Sequence, residues 1–214
     1  MGPVGAKSWA SIINVHKKFG ISVQTKQTSL DQVRIVPRKG YYVVEVIYER
    51  EVQPAQADRA LIAGIDIGVN NLAAITSNKE GFVPRLVNGR PLKSVNQYYN
   101  KRKAELQKLV QNDHFTTRMQ RMTNKRTRRL DHYLHTASKQ IIALLVAEGI
   151  GTLIIGKNPH WKQEVEMRKQ DKQHFVQIPH ARFVDMLCYK AKLVGIQVIL
   201  QCGTCRVSPG PDSW

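Results

Sequence analysis

One carboxylate interrupts the most apolar stretch of this chain, Leu61-Ile62-Ala63-Gly64-Ile65-Asp66-Ile67-Gly68. A short run of this kind, rich in Ile and bounded by turn residues, reads as a buried β-strand rather than a helix. An acid inside it is unfavourable unless its charge is compensated. A divalent cation such as Mg²⁺ would do so, because hard cations take carboxylate oxygens and a rigid strand holds the ligand while the metal activates water on a phosphodiester. The competing reading is an Asp at a strand end that caps the Gly68-Val69-Asn70-Asn71 turn.

The elements around this strand follow from periodicity and punctuation. Val33 to Val36 and Tyr41 to Tyr48 are β-rich runs flanking Pro37-Arg38-Lys39-Gly40, a hairpin with turn chemistry between its strands. Residues 1 to 29 carry no sustained period, and Glu49 to Ala60, with Pro54, reads as a linker. After the Asp66 strand come strands over Leu72–Thr76 and Gly81–Val87, then a helix from Leu92 and a longer one to about Glu148, stopped by Gly149. A strand over Thr152–Gly156, a polar basic loop to Gln177, a helix over Pro179–Val194 and a strand over Gly195–Leu200 complete the pattern. A helix between two strands implies a right-handed crossover into a parallel pair. An antiparallel meander extended by such crossovers is an α/β, RNase H-like mixed sheet with flanking helices. The expected domains are a partial β-rich segment at 1–58, the RNase H-like domain at 59–201 and a divergent tail at 202–214.

Charge narrows the partner. Lys and Arg number 33 against 16 Asp and Glu, a formal net charge of +17. Such a surface points to a polyanion, and nucleic acid fits better than an anionic membrane because the charge runs through the whole chain; a basic but inert surface is the plainer alternative. No run approaches the length of a membrane span and no signal peptide opens the chain, so a soluble, cytoplasmic protein is expected. Three cysteines, Cys188, Cys202 and Cys205, are too few for a disulfide framework. Cys202-Gly203-Thr204-Cys205 is half of a zinc knuckle without a second half, so no zinc is expected.

The densest basic segment, Arg118, Arg121, Lys125, Arg126, Arg128 and Arg129, leads into the long helix and suits phosphate contact, with a solvated helical face as the alternative. A second stretch holds Lys157, Trp161 and Lys162, where the indole reads equally as a base-stacking platform or a packing anchor. His132 and His135 share a helix face without a convergent third ligand. For a metal site at Asp66, further acids are scarce. Glu148 and Asp185 fall in helices, Glu164 and Glu166 in the basic loop, and the stretch after Leu200, Gln201-Cys202-Gly203-Thr204-Cys205-Arg206, holds none.

Gly64-Ile65-Asp66-Ile67-Gly68-Val69-Asn70-Asn71-Leu72-Ala73 resembles the first RuvC motif of TnpB-type proteins, also called OrfB transposases. Asp131-His132-Tyr133-Leu134-His135, Ile155-Gly156-Lys157-Asn158, Trp161-Lys162-Gln163, Ile178-Pro179, Tyr189-Lys190-Ala191 and Gly195-Ile196 follow in the family's order. The resemblance covers about residues 33 to 201, with the hairpin before Asp66 similar to the end of the family's oligonucleotide-binding wedge domain. It implies an RNA-guided, Mg²⁺-dependent DNA endonuclease with DNA and a guide RNA as partners, in which base pairing reads the sequence. The resemblance also implies an Asp, Glu, Asp catalytic set, of which only Asp66 occupies a matching position. The expectation is a chain truncated at both ends and catalytically incomplete. Its alternatives are a nuclease-dead, RNA-guided DNA-binding regulator and an active nuclease whose site is completed in trans.

Overall fold

The computed structural model describes residues 11–16, 21–25, 29–52, 57–110, 115–156 and 177–201. The chain forms two compact units, Met1–Glu51 and Val52–Trp214. In the first, β1 (Ser11–His16) pairs antiparallel with β2 (Ile21–Thr25), a hairpin in a region whose mixed composition gives no period. The expected hairpin forms β3 (Gln32–Arg38) and β4 (Tyr41–Ile47), in register from Gln32↔Ile47 to Arg38↔Tyr41. Lys39-Gly40 closes it, and Gly40 turns at φ 83°, a backbone conformation that only glycine adopts without steric cost.

The second unit is a five-stranded mixed sheet in the order β7-β6-β5-β8-β9 with its helices packed on one face. Its central strand, β5 (Asp58–Ile67), pairs antiparallel with β6 (Asn71–Ser77) and parallel with β8 (Ile150–Gly156). β7 (Arg85–Asn88) extends the antiparallel side and β9 (Gln197–Gln201) the parallel side. β7 starts four residues later than the sequence suggests. Gly81 sits in a turn at φ 74°, the Phe82 N–H closes that turn on the Lys79 carbonyl, and Pro84 has no N–H to offer a ladder.

Helix α1 (Arg90–Lys108) begins where Asn88 Oδ1 accepts from the Arg90 N–H at 2.9 Å, with Pro91 in its first turn. Helix α2 (Thr117–Ala147) is capped by Thr116, whose hydroxyl accepts from the Met119 N–H. It ends at Gly149, φ 70°, as glycine after a helix commonly does. Helix α3 (His180–Leu193) lies between β8 and β9 in sequence and provides their parallel crossover.

The core lies between these helices and one face of the sheet. Ala63, Ile65 and Ile67 of β5 point into it beside Leu72 and Ile75 of β6 and Leu153 and Ile155 of β8. Leu134, Ile141 and Leu145 of α2 and Phe183 and Leu187 of α3 meet them, each 2% exposed or less. Strand alternation sends Ile62, Gly64 and Asp66 to the other face. The register sets Ala74 and Leu86 beside Asp66, and Thr76, Ile154 and Ile199 beside Gly64. No described element covers that face: Leu86 is 67% and Ile199 43% exposed.

Candidate nucleic-acid interface and the Asp66 face

Arg118, Arg121, Lys125 and Arg129 recur at intervals of three, four and four residues, which makes them a single stripe along α2. At the helical rise the stripe runs about 16 Å, with steps of about 4.5 to 6 Å between charges. All four are exposed, and they line one wall of a cleft between α1 and α2 of about 630 Å³. Tyr98, Tyr99 and Arg102 of α1 form the facing wall. Arg128 is exposed but does not line the cleft.

Arg126 does something else. Its Nε donates to Asn96 Oδ1 at 2.7 Å, a terminal nitrogen donates to the Gln177 carbonyl at 3.3 Å, and its guanidinium lies 4.9 Å from the centre of the Tyr99 ring. Burial lowers its pKa, partly offset by Tyr99. Tyr99 is fixed in turn: Thr123 donates to the Met119 carbonyl, so the Tyr99 hydroxyl donates to Thr123 Oγ1 at 3.0 Å. Arg126 thus ties α1 to α2 and to the residue three before α3, leaving the exposed stripe to face solvent. Asn96, fully buried on α1, is the partner that sequence patterning missed, because a lone Asn in a basic helix carries no periodic signal.

Asp66 lies on the uncovered sheet face and is solvent-exposed, which corrects the expectation of an acid enclosed in an apolar strand. The run from Leu61 to Gly68 is apolar because its inward residues fill the core while its outward ones, Ile62 and Gly64, lie on a face without a described covering layer. The desolvation argument for a bound cation therefore does not apply. A shallow depression of about 500 Å³ surrounds Asp66, floored by Gly64, Ala74 and Ile154 and edged by Thr76, Leu86 and Gly156. β8 and β9 bring Gly156 and Gln201 alongside at the same end of the sheet. Neither is an acid, and among the described residues no three His, Cys, Asp or Glu side chains converge. The described residues do not fit a two-metal centre, which needs several acids around cations about 4 Å apart.

Several of the remaining acids and histidines have structural work, while the His132 side chain is exposed. Glu148 pairs with Lys79 at 2.7 Å, and Lys79 also donates to the Glu148 carbonyl at the end of α2. Asp131 pairs with Arg182 of α3. Lys190 donates to the His135 carbonyl and to Ser138 Oγ, each at 2.7 Å, and clips α3 onto α2. Asp185 is exposed on α3. His180, 3% exposed, uses Nε2 to donate to the Gly68 carbonyl at 3.2 Å, joining the start of α3 to the turn that follows Asp66. Lys157, Trp161, Lys162, Glu164, Glu166, Cys202 and Cys205 lie outside the described residues. Among the described helices none is long and apolar enough to cross a membrane.

Three antiparallel strands followed by two parallel ones, with the helices between, define an RNase H-like, RuvC-type domain. The solved structures agree on that fold. Cas12f1 in a complex with sgRNA and target DNA superposes with a TM-score of 0.53 at 17% identity, over 80% of this chain and 42% of its own. A CRISPR-Cas12f ternary complex gives 0.56 at 15% identity, over 80% of this chain and 35% of its own. This chain thus spans about two fifths and about a third of the lengths of these proteins. A family model described as a probable transposase, OrfB of IS605, matches residues 45–162, more than half of the chain. The chain belongs to the OrfB family and is TnpB-like. No curated protein matches it.

Proposed function

We propose that this protein is a transposon-associated, TnpB-like nucleic-acid-binding protein that holds DNA and a guide RNA electrostatically and does not cut on its own. The carrying observation is the pairing of a cationic cleft with a solitary carboxylate. Four exposed cations stand in line on α2, while Asp66 sits in a mainly apolar depression whose other polar lining is Thr76 and Arg85, with no second acid. The family's activity is RNA-guided, Mg²⁺-dependent DNA cleavage, and Asp66 is the catalytic and metal-binding residue that would serve it. A single carboxylate binds Mg²⁺ weakly, since that ion keeps most of its waters unless several oxygens replace them. Binding outlasts catalysis in such a chain because phosphate affinity sums over many separate cations, whereas the cutting chemistry needs all its acids at one point.

Cleavage of labelled single- and double-stranded DNA with Mg²⁺ or Mn²⁺, any co-purified RNA retained, tests this reading beside an Asp66→Ala variant. The expected result is salt-sensitive binding that survives Asp66→Ala, without cleavage. Metal-dependent cleavage abolished in Asp66→Ala would overturn it.

A further inference from the structure

We infer that the α1–α2 cleft takes a single unpaired strand, with its phosphates along the α2 stripe and a base stacked on Tyr98. This rests on the nucleic-acid reading above and goes further, to the form of the ligand.

The cations line a concavity. A helix that reads a duplex does so as a ridge inserted in the major groove, about 12 Å wide. Here α1 packs alongside α2, and packed helix axes lie about 8–10 Å apart, so the stripe cannot enter a groove without α1 entering too. A single strand has no groove to enter and can lie along the concavity between the two helices. Steps of about 6 Å between Arg121, Lys125 and Arg129 are of the same order as those between neighbouring phosphates on one strand.

Tyr98 supplies the second observation. Adjacent tyrosines on α1 have opposite fates: Tyr99 is half-buried, bonded to Thr123 and stacked under Arg126, while Tyr98 is 63% exposed at the rim of the same cleft. A large exposed aromatic beside a cationic groove is the arrangement by which proteins hold unpaired bases without reading sequence, because every base has a π-face. A paired base inside a duplex offers no such face. Arg102 is held in an ion pair with Glu105, so it shapes the rim and leaves the stripe of four to carry the phosphates.

Fluorescence anisotropy on the full chain tests this with homopolymeric single strands of about 4–16 nucleotides and a duplex of matched length. Single strands are expected to bind more tightly than the duplex, with log K falling against log salt at a slope of about −3 for four phosphates. Tyr98→Ala is expected to weaken single-strand binding about 5- to 150-fold while duplex binding is unchanged, and Tyr98→Phe to restore it. Duplex binding equal to or tighter than single-strand binding, or a Tyr98→Ala variant that binds like the parent, overturns the single-strand inference and leaves the nucleic-acid reading standing. Absence of salt-sensitive binding to either form overturns both.

Discussion

Replacing Gly89 with alanine adds one methyl group where the β5–β6 turn meets the start of α1. A Cβ there would lie 2.2 Å from the Val69 carbonyl oxygen and 3.1 Å from that of Asn70. Gly89 itself has φ −93° and ψ −12°, which any residue adopts, so backbone strain plays no part and the cost is steric. Relief requires about 1 Å of movement by backbone on one side, because no side chain can swing away, and overpacking of this kind costs about 1–3 kcal/mol. That movement also pulls on the 2.8 Å bond from the Gly89 N–H to the Asn70 carbonyl. A weakened hydrogen bond adds about 1 kcal/mol, and the stiffer unfolded chain returns about 0.4–1 kcal/mol. The net loss is about 1–3.5 kcal/mol, or about 2–14 °C in Tm for a chain of this size. Denaturation by urea and by heat, followed by circular dichroism, measures it. Gly64→Ala is the control: its Cβ would stand 3.9 Å from Thr76 Cγ2 in ordinary contact, and near-parental stability is expected. If Gly89→Ala matched the parent in midpoint and slope, the close approach of the turn to the helix would be refuted.

Leu134→Ala empties a fully buried position between helix and sheet, and a loss of about 3–5 kcal/mol in urea denaturation is expected. Lys79→Ala removes the cation that bonds both the Glu148 carboxylate and its carbonyl; both partners are about a third exposed, so the loss is about 1 kcal/mol by the same assay. His135 has its pKa lowered by partial burial first and by Lys190 next. Its unfolded form therefore binds protons more readily, and stability falls as pH drops from about 6.5 towards the lower folded value. His135→Gln is expected to flatten that slope in melts run across this window, and an unchanged slope would refute the assignment.

Much of the sheet was legible because its signals are local. The turn chemistry at Pro37 to Gly40, the apolar runs at 61–68 and 152–156, and the glycine stop at Gly149 each announce an element within a few residues. The basic stripe was legible as composition, but its division was not: Arg126 differs from Lys125 only by the face it occupies, and burial against Asn96 and Tyr99 depends on how α1 meets α2. Asp66 was singled out by sequence and misread in its surroundings. An apolar strand buried on both faces and one that ends on an uncovered face have the same residues, and only the position of the helices distinguishes them. His180 and Asn96 escaped notice because a single polar residue on a helix gains meaning only from a partner distant in sequence, here Gly68 and Arg126.

The sheet face that no described element covers bears on how this protein behaves in solution. Leu86, Ile154 and Ile199 form an adhesive plane, and β9 beside it is an outer strand among the described residues, a template for another chain's backbone. A net charge of +17 keeps molecules apart while their fields reach one another. The screening distance shrinks from about 30 Å at 0.01 M salt to about 3 Å at 1 M. Raising salt therefore releases the polyanion and, by the same screening, lets these apolar faces meet, so light scattering should climb over the range in which anisotropy falls.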